Sequence, residues 1–171
     1  MMFLMRLYLY LQLMIVPFET LSEEAKVWIY PSSRKFYAQE LEPLQEKIES
    51  FLNDWLNTVE AKLSYCIKYD RFIVFSSEEG VVVNNQNLDQ QVGFILKLQE
   101  EYEIELLDKM NVSFKQGEFV QYKEVKEFKK LLKNKSVNSK TVVFDNLVQT
   151  KYDFENFWEV PITESWYNRF L

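Results

Sequence analysis

Residues 63–75 read Leu-Ser-Tyr-Cys-Ile-Lys-Tyr-Asp-Arg-Phe-Ile-Val-Phe, and the way this stretch divides decides the fold. Leu63, Tyr65, Ile67 and Tyr69 alternate with Ser64, Cys66 and Lys68, the period-two pattern of a strand with one buried face. Phe72-Ile73-Val74-Phe75 has no such alternation and reads as a central strand. Tyr69-Asp70-Arg71 is short enough to join the two as a hairpin, although it carries no Asn-Gly or Asp-Gly turn signal.

Upstream, Val27-Trp28-Ile29-Tyr30 is a strand stopped by Pro31-Ser32-Ser33. Leu41, Leu44, Ile48, Phe51, Leu52, Trp55 and Val59 then recur at spacings of three and four, one apolar stripe of a long helix. Pro43 suits only a first turn, which puts the start of that helix near Gln39 or Glu40. Downstream, a polar loop from Ser76 to Gln86 leads to a second helix, with Asn87 as N-cap, Gln90 as its reciprocal partner and a stripe of Leu88, Val92, Ile95, Leu96 and Tyr102. Val112 and Phe114 face Val120 and Tyr122 across residues 115–118 as a second hairpin. Val125, Phe128, Leu131 and Leu132 mark a third helix, Thr141 to Phe144 a further strand, and the tail is rich in aromatic residues. This order gives an α+β fold: a single domain with a mainly antiparallel sheet and three helices, its first part a split β-α-β unit of the ferredoxin-like kind.

Composition narrows the chemistry. The 171 residues contain no histidine, three glycines and one cysteine. Without histidine, Ser-His-Asp and Cys-His arrangements cannot be built. Gly80, Gly93 and Gly117 are too far apart for a phosphate loop or a G-x-G-x-x-G turn. Cys66 alone makes neither an internal disulfide nor a cysteine zinc site, and fits a reducing, cytoplasmic setting. A net charge of −6 argues against nonspecific nucleic-acid binding. Residues 123–140 hold seven lysines against two glutamates, a local +5 that leaves −11 elsewhere. Because these lysines alternate with the apolar stripe, we read them as the solvated face of an amphipathic helix.

Residues 1–16, Met-Met-Phe-Leu-Met-Arg-Leu-Tyr-Leu-Tyr-Leu-Gln-Leu-Met-Ile-Val, are apolar but shorter than the ~20 residues a spanning helix needs. They lack a basic start and a small-x-small cleavage site. We therefore expect Met14 to be the start of a domain over 14–171, with residues 1–13 an upstream extension and no membrane role.

Ser32, Ser33 and Arg34 lie between a strand end and a helix start, where hydroxyls, a guanidinium and free amides can hold a small anion. The competing reading pairs Arg34 with a nearby carboxylate. Arg71, Asp89 and Arg169 are further candidates. Asp70, Glu78, Glu79, Asp89, Asp108 and Asp145 could serve acid/base or metal chemistry only if several converged in one cleft, and no spacing forces that. Cys66, between apolar neighbours, reads as an inert thiol.

Several segments also form a set: Val27-Trp28-Ile29-Tyr30 with Ser33-Arg34, Tyr69 to Val74, Asn146-Leu147-Val148 after Phe144, Trp158-Glu159-Val160-Pro161, and Ser165-Trp166 with Arg169-Phe170. Together they resemble a family of small conserved bacterial proteins that carries the label "ABC transporter ATPase", over roughly Ile15 to Leu171. The resemblance brings no established activity. It departs at Asn85-Gln86-Asn87-Leu88-Asp89, where members carry Gly-Cys-Ser-Ile-Asp, and at Tyr167, where they carry histidine. The phosphate loop, signature motif and switch histidine of such an ATPase are absent from this sequence.

The expectation is a non-catalytic domain that binds a protein or a small anionic ligand, with no cofactor called for and no catalytic or metal-ligating residue assigned. A carboxylate- and metal-dependent hydrolase of an acidic substrate is the alternative, and the ATPase of the family label ranks last.

Overall fold

The computed structural model describes residues 1–6 and 15–171. The expected extension over residues 1–13 falls largely on residues 7–14, outside the described residues. The fold is a single α+β domain. Its strands are β1 (Lys26–Pro31), β2 (Leu63–Lys68), β3 (Phe72–Ser77), β4 (Val112–Gln116), β5 (Phe119–Lys123), β6 (Val142–Phe144) and β7 (Glu159–Pro161). Its α-helices are α1 (Ala38–Trp55), α2 (Asn85–Tyr102), α3 (Val125–Lys133) and α4 (Lys151–Phe157).

The first sheet has the order β1-β3-β2, with β3 antiparallel to both neighbours. β1 and β2 are joined by α1 and held apart by the inserted β3, which is the split β-α-β connection. This sheet stops at three strands and does not establish the expected ferredoxin-like arrangement. Instead of a fourth strand joining this sheet, α2 leads to a second sheet, β5-β4-β6-β7, antiparallel throughout.

All six residues of β3 are buried. Ile73 and Phe75 pack with Tyr30, Leu63 and the apolar faces of α1 and α2. Phe72 and Val74 point the other way, with Val27 and Ile29, onto Phe18, Phe144, Phe154 and Trp158. The two sheets meet here: the ring of Phe72 lies 4.7 Å from Phe144 and 5.0 Å from Trp158, centroid to centroid. A third cluster, Phe114, Phe128, Val143, Ile162 and Tyr167, closes the second sheet under α3 and the C-terminal segment.

Several boundaries differ from the sequence reading. The β2–β3 turn places both Tyr69 and Asp70 at positive φ (54° and 48°), closed by the Arg71 N–H on the Lys68 carbonyl at 2.9 Å. This is turn geometry that Asn-Gly usually supplies, here adopted at a cost of roughly 1 kcal/mol or more by a tyrosine. α1 begins at Ala38, which puts Pro43 beyond the first turn. The hydrogen bond that proline cannot give would have gone to Gln39, an exposed residue whose carbonyl water can serve. α2 begins before the expected cap: Asn84 is the N-cap, and its carboxamide and that of Asn87 each accept the other's backbone N–H, at 2.8 and 3.1 Å. The buried face is accordingly Asn87, Gln91, Ile95 and Leu98, while Val92 and Leu96 are exposed.

The tail contains a fourth helix, capped by the Thr150 hydroxyl, which accepts the Asp153 N–H at 3.1 Å. Trp158 is buried there, with Trp166 and Phe170 packed against the third cluster.

Replacing Phe72 by alanine should cost about 3–5 kcal/mol of unfolding free energy in urea titration, because it empties the point where both sheets meet. Phe119→Ala, at a residue 74% exposed, should stay within about 0.5 kcal/mol of the parent.

Candidate functional site

The loop read as an anion site is closed by its own partners. Arg34 makes a two-pronged contact with Glu40, Nη1 to Oε2 at 2.9 Å and Nη2 to Oε1 at 3.0 Å. Nη1 also donates to the Lys35 carbonyl and Nη2 to the Tyr102 carbonyl, both at 3.0 Å. Tyr102 is the last residue of α2 and Glu40 lies in the first turn of α1. The guanidinium therefore caps the negative end of one helix while it grips the carboxylate at the positive end of the other. Ser33 and Glu105 pair twice, the N–H of Ser33 to the carbonyl of Glu105 and the N–H of Glu105 to Oγ of Ser33, each at 3.0 Å. Ser32 is fully buried, and its N–H donates to the Arg71 carbonyl at 3.0 Å. Of the two sequence readings of Arg34, the carboxylate pairing is the one present.

The remaining candidates are scattered. The backbone of Arg71 adjoins this loop, but its guanidinium has a buried Nη1 without a partner among the described residues, and desolvation lowers its pKa. Asp89 is exposed on α2. Arg169 lies 4.0 Å over the ring of Trp166 and donates to that residue's carbonyl. Of the seven lysines of residues 123–140, Lys126, Lys129, Lys130 and Lys133 lie on α3, exposed around the buried Phe128. Lys123 belongs to β5, and Lys135 and Lys140 follow the end of the helix, which is shorter than that span. Burial pushes the Cys66 thiol up to about 11, which keeps it protonated and unreactive at neutral pH.

The acidic candidates are mostly turn-builders. Oδ1 of Asp108 accepts the N–H groups of Met110 and Asn111, at 2.8 and 3.1 Å. Asp145 accepts the N–H of Leu147 on Oδ1 and that of Trp166 on Oδ2. Asp70 pairs with Lys35 at 3.4 Å, and Glu78 accepts the Lys62 N–H. Among the described residues, no three Asp, Glu or Cys side chains come together in a group that could hold a metal ion.

These two aspartate turns build a site that the sequence reading missed. The Asp108 turn presents Lys109, and the Asp145 turn leads into residues 146–150. That segment is pinned alongside β1 by the Val27 N–H on the Gln149 carbonyl (3.0 Å), the Lys151 N–H on the Ala25 carbonyl (2.8 Å) and a bridge between Lys26 and Thr150. Between them lies a cleft of about 500 Å³, lined on one side by Val27 and Trp28, on another by Leu88 at the start of α2, and by Lys109, Asn146 and Val148.

Its polar groups are under-partnered. Lys109 is partly buried and has no carboxylate within salt-bridge distance among the described residues. Its Nζ lies 5.6 Å from the centroid of the Tyr30 ring, and desolvation holds its pKa below the ordinary 10.5. Asn146 is 2% exposed. Its oxygen accepts from Nε1 of Trp158 at 2.9 Å, and since an indole nitrogen can only donate, the amide orientation is set. Nδ2 of Asn146 is then left without a partner.

Lys151 shows what a satisfied buried lysine looks like in the same molecule. It is 5% exposed, and its amine donates to the carbonyls of Glu19 and Leu21 at 3.1 and 2.7 Å. Lys109 has no such contacts.

Glu40→Gln should lower stability by about 1 kcal/mol, a two-pronged pair discounted for its partial exposure. Arg34 holds the Glu40 carboxyl below its usual 4.5. The pair's contribution is thus complete above that value and disappears as pH falls through the lowered pKa. Urea midpoints of parent and variant should differ at neutral pH and converge in acid.

No protein-family model, curated protein or solved structure matches the chain, so the residues of the site carry the functional reading.

Proposed function

We propose that this protein is a non-catalytic binding module for a small anionic ligand, held in the cleft of Lys109 and Asn146. One observation carries the reading: a partly buried ammonium group lining a cleft, with no carboxylate within salt-bridge distance among the described residues. A charge in that position is unfavourable by itself, and an anion placed next to it relieves the penalty. Asn146, whose Nδ2 has no partner among the described residues, lines the same cleft. The use of Asp70, Glu78, Asp108 and Asp145 as turn and pairing groups supports binding over acid/base hydrolysis. Among the described residues no helix is long and apolar enough to cross a membrane.

Backbone amide shifts followed by NMR during titration with acetate or phosphate should move at residues 26–28, 109 and 146–150. Lys109→Met should abolish these changes while leaving the fold as stable as the parent or more so. The sign follows from the lowered pKa: the folded state disfavours the charged amine, so below that pKa the charge costs stability. Anion affinity should fall as pH rises through the Lys109 pKa, because the attracting proton is then lost. If neither anion shifts the cleft residues, the reading fails.

A further inference from the structure

Resting on that reading, we infer that the ligand is a monocarboxylate with an apolar body, its carboxylate between Lys109 and Asn146 and its body along Trp28. The size of the cleft is the first reason. At about 500 Å³ it is far larger than acetate or phosphate and falls in the range of pockets that enclose whole organic ligands. The second is its walls. Val27, Trp28, Val83, Leu88, Leu147 and Val148 make up half of the lining residues. Leu147 is 43% exposed, so apolar surface faces water there until something covers it.

The donor set is the third reason. Lys109 and Asn146 each bring one unpartnered side-chain donor to the lining, two donors for the two oxygens of a carboxylate. A phosphate dianion is ordinarily met by an arginine fork or a row of backbone amides, and no arginine lines this cleft. Glu24 and Lys26, both exposed, also line it and offset each other. That leaves the charge of Lys109 to match a single negative charge. Asn146 and Trp28 thus become specificity residues: the first reads the carboxylate, the second the body attached to it.

Calorimetric titration of the full chain with acetate, butyrate, hexanoate and inorganic phosphate tests this. Each methylene that leaves water should tighten binding by about fourfold, so hexanoate should bind at least about 30-fold tighter than acetate even with partial burial. Leu147→Ser, at an exposed position that the fold does not need, should weaken hexanoate several-fold and leave acetate unchanged. Asn146→Asp keeps the acceptor for Trp158 but replaces the donor with a negative charge, and should abolish carboxylate binding. If hexanoate and acetate bind in the cleft with equal affinity, or phosphate binds tighter than hexanoate, the inference is overturned while the anion-binding reading stands. If no anion binds, both fall.

Discussion

The burial of β3 on both faces is the constraint on which the rest of the molecule depends. A strand with six buried residues needs hydrogen-bonded neighbours along both edges and apolar cover above and below. β1 and β2 supply the edges. α1 and α2 supply one cover, and the other comes from Phe144 and the Phe154–Trp158 pair, whose rings stack at 4.6 Å. Since side chains alternate, a shift of one residue in register would exchange the Phe72/Val74 face with the Ile73/Phe75 face. Neither cover could accommodate the exchange, so the register of the first sheet and the docking of the second are settled together.

Several buried or partly buried donors are matched: Arg34 by Glu40 and two carbonyls, Lys151 by two carbonyls, and the phenol of Tyr30 by the side-chain oxygen of Gln91, whereas Nη1 of Arg71 and Nε2 of Gln91 are left without a partner among the described residues. Each match is structural, because it ties a loop or a helix end to the core. Against this background the cleft stands out through contrast within one chain. Lys151 is buried and its amine donates to two carbonyls, whereas the partly buried Lys109 has no protein acceptor among the described residues. An unfavourable placement of this kind persists when something outside the chain uses it or when the surrounding fold over-determines it. The aspartate turns at 108 and 145 are such a fold.

Much of the architecture was legible in the residue pattern. The alternation over 63–69, the continuous run at 72–75 and the three-four stripe of α1 each reflect a local period set by backbone geometry, so a linear reading recovers them. The misreadings were local too. Asn84 and Asn87 cap α2 through two carboxamides rather than through the usual Glu or Gln partner. The tail helix has only seven residues, too few for its period to show. The turn at Tyr69-Asp70 was recognisable only by its length, because its residues are not those that ordinarily accept positive φ.

The sequence by itself determined the fold class, the existence of two hairpins, the long amphipathic helices, and the absence of histidine-based and phosphate-loop chemistry. All of these depend on residue type or on spacing along the chain. The register of the second hairpin was not among them: Val112 and Phe114 pair with Lys123 and Gln121, and the expected partners Val120 and Tyr122 pair instead with Lys115 and Ser113. Tertiary structure decided which charges were free. Arg34 lay beside a plausible anion loop in sequence, but Glu40 and Tyr102 reach it from two different helices and use its donors. Lys109 carried no motif, and its neighbours in the cleft come from β1, the start of α2 and the 146–150 segment. Whether a charged group is paired or exposed depends on groups far away in the chain that share its volume, and residue order does not encode that proximity.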